Sequence, residues 1–188
     1  MEQQTPGTAL LVMDMQAAIL GRIPDPATLL TNVNKAIAAA RSRQLPVIYV
    51  VVGFREGGPE LSLNNKAFTA MGGRERWTVA HIAEWMKIHP DVAPRAGDII
   101  VTKRRISAFT GSDLEVVLRA QGIQHMVLSG ISTSGVVLST LREAADKDYR
   151  LTVLADCCAD ADEEVHRVLT AKVFPRQAEV VSVAGWSS

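Results

Sequence analysis

Apolar residues occur in short runs along this chain, and the runs alternate with stretches of helical period. TALLVMDM (8–15) is almost continuously apolar, as expected of a strand covered on both faces. PATLLTNVNKAIAAARSRQ (26–44) follows, with Leu30, Val33, Ile37 and Ala40 at helical spacing, and PVIYVVVGF (46–54) predicts a second buried strand. The alternation resumes with strand 98–103, helix 112–121, strand 125–131, helix 135–147, strand 150–156, helix 162–173 and strand 179–185. Strands alternating with helices of this length predict an α/β fold whose central sheet is mainly parallel, with about six strands. Residues 55–97 break the rhythm with Gly, Pro and polar residues, predicting a long excursion with two short helices. Neither a repeat nor a linker interrupts the pattern, so a single domain over 1–188 is expected.

In open parallel sheets ligands bind beyond the carboxyl ends of the strands. Those ends carry Asp14 and Gln16, Phe54 and Arg55, Lys103 to Arg105, Ser132 to Gly135, and Asp156 to Cys158. Asp14 and Lys103 each adjoin an apolar run. On neighbouring strand ends they would hold each other ionised or share a proton if water were excluded; the alternative is two solvated charges.

Composition narrows the classes of function. Lys+Arg 20 balances Asp+Glu 20, so no basic field draws nucleic acid or an anionic membrane. Hydrophobic residues at 47% and charged residues at 21% are ordinary globular usage. The two cysteines, Cys157 and Cys158, are adjacent and lack a CxxC companion, which suggests a reducing, cytoplasmic setting without a disulfide framework or zinc site. MEQQTPG has no basic leader region, and no stretch reaches the roughly 18 apolar residues of a membrane span.

Several motifs favour plain structural readings. Gly130-Ile131-Ser132-Thr133-Ser134 misses the second glycine of a hydrolase nucleophile elbow, and His166, which follows Asp156, falls within a predicted helix. Asp160 and Asp162 precede that helix and suit capping better than a calcium loop. None of His81, His89, His125 and His166 pairs with another His at helical spacing, so no zinc ligand set is evident. Trp77 and Trp85 would line a pocket mouth, an oligomer interface or a core.

Taken together, LLVMDMQ, DIIVTKRRISAFTGSDLEVVLRAQGI and GISTSGVVLSTLREAADKDYRLTVLADCCAD resemble the isochorismatase-like cysteine hydrolase superfamily over nearly the whole chain, most strongly across 97–164. The resemblance implies a three-layer α/β/α, Rossmann-like hydrolase with an Asp–Lys–Cys triad. Asp14 matches the Asp, Lys103 the Lys, and the backbone oxyanion turn, usually with a non-proline cis peptide, falls near Ile131 and Ser132. The family's Cys occurs in a G-x-x-T-x-x-C-V pattern, and Gly130, Thr133, Val136 and Val137 occupy those places here, which puts Val136 at the nucleophile position. The metal-binding His residues of the nicotinamidase branch have no match in GFREGGPELS, so neither a metal nor another cofactor is expected.

Three functions compete. The first is hydrolysis of a small metabolite without a cysteine nucleophile. Asp14 would be the acid, oriented by Lys103 and Gln16, with Arg55 or Arg104 meeting a substrate carboxylate and Ile131, Ser132, Thr133, Ser134 and Gly135 forming the substrate-facing turn. The second is an amidase using a displaced Cys157 or Cys158, and the third a catalytically degenerate member that binds a metabolite or protein partner. A homo-oligomer, dimer or tetramer, is expected in each case.

Overall fold

In the computed structural model, residues 7–187 are described; residues 1–6, most of the stretch expected to lack a leader signal, lie outside them. Six parallel strands form one sheet: β1 (Gly7–Met13), β2 (Val47–Val52), β3 (Ile99–Lys103), β4 (Ile123–Ile131), β5 (Arg150–Ala159) and β6 (Glu179–Val181). Their spatial order is β3-β2-β1-β4-β5-β6. The chain therefore runs outward from β1 on one side and restarts with β4 on the other. The switch point, where α/β sheets open a crevice, lies between the carboxyl ends of β1 and β4.

The helices are α1 (Ala17–Leu20), α2 (Pro26–Ser42), α3 (Lys66–Thr69), α4 (Val79–Trp85), α5 (Leu114–Ala120), α6 (Leu138–Asp146), α7 (Glu163–Val168) and α8 (Val183–Ser187). The period-2 alternation of β1 divides its side chains between two cores. Leu10 and Val12 join the face covered by α2, while Ala9, Leu11 and Met13 join the face covered by α5 and α6. Together these form the three-layer α/β/α arrangement. Helix α2 begins where Asp25 accepts from the Ala27 N–H, with Pro26 at the first helical position. It buries Leu29, Leu30, Val33, Ala36, Ile37 and Ala40, the stripe that a 3.6-residue period predicts.

Three segments depart from the pattern-based expectation. Residues 133–137 form a π-helical turn before α6, so the regular helix starts at Leu138 instead of Gly135. The predicted strand 179–185 stops at Val181, and Val183–Ser187 is helical. Strand β5 continues past Asp156 to Ala159, because Cys158 comes five positions after Val153 while its β4 partner Gly130 comes only two after Leu128, the partner of Val153. This bulge carries Cys157 and Cys158 into the sheet rather than beyond its end. The excursion between β2 and β3 forms a third apolar cluster around Phe54, Leu61, Phe68, Trp77 and Trp85.

Candidate active site

At the switch point, β1 and β4 approach so closely that residue 130 has no room for a side chain. A Cβ on Gly130 would stand 2.6 Å from the Met13 carbonyl oxygen. Met13 and Gly130 are register partners, so Asp14 and Ile131 leave the sheet side by side. Asp14 adopts a left-handed backbone, φ 57°, and its N–H donates to the Val50 carbonyl at 2.8 Å. The Ile131–Ser132 peptide is cis, where the resemblance places the turn.

Lys103 ends β3, two strands from β1 in the sheet order. Its Nζ lies 2.9 Å from Asp14 Oδ2 and also donates to the carbonyls of Arg105 (3.0 Å) and Ile106 (2.9 Å). All three ammonium protons are thus committed, which fixes the charge in one place. The two side chains are only 2% and 8% exposed, so they are a buried ion pair and not two solvated charges. Desolvation pushes the Asp14 carboxyl above the usual carboxylate range, outweighing the opposing effect of Lys103. Asp14 Oδ1 is buried without a hydrogen-bond partner among the described residues.

Asp14 and Lys103 line a cavity of about 220 Å³. The β4 turn contributes Ile131, Ser132, Gly135 and Val136 to its wall. The excursion contributes Ala67, Phe68, Met71 and Trp85, and α1 with its following turn contributes Ile19 and Arg22. This volume is below the roughly 300–1,000 Å³ of drug-sized pockets, and its mostly apolar lining with a few convergent polar groups suits a small metabolite.

The remaining predicted residues are distributed differently. Gln16 is fully buried, and its hydrogen bonds all go to backbone: Nε2 donates to Val52 O (3.1 Å) and Trp85 O (2.7 Å), and Oε1 accepts from Val52 N–H (2.7 Å). It pins the end of β2 to α4 and does not line the cavity. Arg55 is 68% exposed and paired with Glu60 at 2.5 Å; Arg104 donates to the Gly53 carbonyl and lies 3.7 Å from the same Glu60. Neither arginine lines the cavity, so the expected carboxylate contact does not arise from them.

Thr133 and Ser134 do not line the cavity either. Thr133 Oγ1 pairs with His166 Nδ1 at 2.8 Å, and the Ser134 N–H donates to Asp160 Oδ2 at 2.7 Å. His166 therefore lies in α7 against Thr133, and no Ser132 triad assembles. Asp162 caps α7 through the Glu164 and Val165 N–H groups, while Asp160 anchors the turn instead of capping.

Neither Cys157 nor Cys158 lines the Asp14 cavity. The two point into opposite cores, as successive strand residues do. Burial pushes the Cys158 thiol up to about 12 and raises Cys157 too, so neither is activated. Trp77 is core, whereas Trp85 serves both core and cavity wall and donates Nε1–H to Val52 O at 2.8 Å. Among the described residues, no group of three or more His, Cys, Asp or Glu is placed to hold a metal ion, and no helix is long and apolar enough to cross a membrane.

Sequence reasoning missed Arg22, Ile19, Phe68, Met71 and Ile106. Arg22 carried one usable signal, a cation a short distance downstream of a strand-end carboxylate. The apolar residues had none, because their place in the wall depends on how the excursion folds back over β2.

Comparison with known proteins agrees with this architecture. The Isochorismatase domain family matches residues 8–185. Ureidoacrylate amidohydrolase RutB of Pseudomonas syringae pv. syringae is 35% identical, with the match covering 96% of this chain and 80% of that one. The uncharacterized isochorismatase family protein YwoC of Bacillus subtilis is 32% identical over 90% of this chain and 86% of its own. Of solved structures, an isochorismatase family protein from Burkholderia thailandensis superposes with a TM-score of 0.84 at 28% identity, covering 96% and 94% of the two chains. N-carbamoylsarcosine amidase from Thermoplasma acidophilum gives 0.76 at 26% identity, covering 94% and 96%. With a family match over nearly the whole length and a sheet, crevice and cis turn to go with it, this chain belongs to the isochorismatase family of hydrolases.

Proposed function

We propose that the protein hydrolyses a small metabolite without a protein nucleophile, with Asp14 as the general acid and water as the attacking group. The observation that carries this reading is the division of labour within one carboxyl. Oδ2 is held by Lys103, while Oδ1 is buried and without a hydrogen-bond partner among the described residues, and Asp14 lines a cavity whose wall at position 136 is a valine. An isopropyl group cannot attack a carbonyl, and neither cysteine reaches the cavity to replace a missing thiol.

Burial raises the Asp14 carboxyl above the usual carboxylate range, so the form that can donate a proton persists to higher pH than in an ordinary Asp. That proton passes to the carbon of a vinyl ether or to the departing nitrogen of an amide; water adds at the carbon that becomes electron-poor and returns a proton to the Asp14 carboxylate, and the C–O or C–N bond breaks to release the alcohol or amine. Lys103 fixes the carboxyl and offsets the negative charge left on it. Ser132 and Gly135 contribute the polar edge of the turn beside the reacting group. Gln16 acts at one remove by holding the backbone around the site.

The test is a turnover screen with ureidoacrylate, N-carbamoylsarcosine and isochorismate, with wild type and Asp14→Asn run in parallel and a thiol alkylating agent applied to both. The expected result is turnover that alkylation leaves intact and that Asp14→Asn lowers by about 10²–10⁴-fold, the usual range for a general acid. Loss on alkylation would transfer the chemistry to a cysteine. Ligand binding with no turnover in either protein would make the chain a binding member of the family.

A further inference from the structure

We infer that Arg22 is the specificity-determining residue of this site, binding a carboxylate, so that the substrates are small organic acids. The inference rests on the Asp14 reading for its account of where the reacting end sits.

The charges around the cavity lead to it. Lys103 is committed to Asp14 at 2.9 Å and to the carbonyls of Arg105 and Ile106, which leaves Arg22 as the cation of the lining with no side-chain partner among the described residues. The other nearby guanidinium groups are engaged. Arg55 and Arg104 share Glu60, and Arg105 donates to the carbonyls of Arg104 and Glu60. Arg22, by contrast, makes no side-chain hydrogen bond or ion pair among the described residues.

Its backbone is nevertheless well placed. Arg22 N–H donates to Ile19 O at 3.1 Å, Ile23 N–H donates to Leu20 O at 2.9 Å, and α1 is tied down where Ala17 N–H meets Lys87 O at 3.0 Å. The guanidinium therefore springs from a fixed turn eight residues after Asp14, on the same cavity. Between the two ends the wall is apolar, with Ile19, Phe68, Met71 and Ile106, while Arg22 itself is exposed and so stands where the cavity meets solvent. The planar fork of Arg suits a carboxylate, which it can meet with two parallel N–H donors. A ligand that fits has an acid group at one end, a short apolar or planar body, and its scissile bond at the other.

The test compares each ureido acid of the screen above with its neutral methyl ester, by calorimetric binding to wild type, Arg22→Gln and Arg22→Lys. The expected result is that wild type binds the acid at least about tenfold more tightly than the ester, as one charge-assisted contact would give. Arg22→Gln should abolish that preference, Arg22→Lys should restore part of it, and added salt should shrink it in wild type. Equal binding of acid and ester by wild type, binding of neither, or a preference that survives Arg22→Gln would each overturn the inference. Failure of the catalytic reading is seen separately: Asp14→Asn turning over like wild type while Arg22→Gln loses the acid preference would remove the former and leave the latter.

Discussion

Asp14 is where residue chemistry and position part company. A carboxylate 2.9 Å from an ammonium is ordinarily held in its charged form, yet here removal from water costs the anion more than Lys103 returns. Donation requires the proton, so kcat should fall as pH rises through the raised Asp14 value, which lies above the roughly 4 of an ordinary Asp. A pH–rate profile checks this. The descending limb attributable to Asp14 should vanish in Asp14→Asn, and a flat profile in wild type would contradict the acid role. The folded chain holds this proton more tightly than the unfolded chain does. Its contribution to stability is therefore present at low pH and lost as pH rises through the folded value.

At the scale of elements, the site depends on joints more than on the helices themselves. Gln16 stitches β2 to α4 through both ends of one amide, and the adjacent Ala17 N–H bonds to Lys87 O. Truncating it would leave the Val52 N–H and the Trp85 carbonyl buried without this partner. Gln16→Ala should therefore cost about 1–3 kcal/mol for each group left unsatisfied, measured by urea unfolding, while Gln16→Glu tests the donor half alone. Activity in Gln16→Ala should decline through loosened placement of Asp14 and Arg22. A second joint is the turn after β4, anchored by Thr133 to His166 and by Ser134 to Asp160. Hydroxyl residues in a substrate-facing turn read naturally as substrate contacts. In this turn, two of the three positions instead hold the turn against α7 and the segment before it.

For the molecule as a whole, the two cysteines report on integrity. Both are buried, in opposite cores, with thiols pushed far toward the neutral form. Native protein should therefore resist a disulfide exchange reagent, and labelling should speed up only as urea opens the whole sheet. Fast labelling of one cysteine in native buffer would mean that the β5 bulge opens locally.

What the sequence by itself determined was the alternation of buried strands and amphipathic helices, the parallel sheet it entails, and the placing of Asp14 and Lys103 at strand ends. These follow from local periodicity, which the chain carries residue by residue. The resemblance added the turn at Ile131 and Ser132 and drew attention to Val136. Tertiary structure alone decided which strand ends become neighbours, and so that Lys103 reaches Asp14 from two strands away. It also sent Gln16, Thr133 and Ser134 to structural partners, buried both cysteines through a bulge, gave Glu60 to Arg55 and Arg104, and left Arg22 free to face the cavity. The physical reason is that hydrogen-bond and charge partners are claimed by proximity in space, and proximity between distant segments is settled only when the sheet order and the excursion across it are in place.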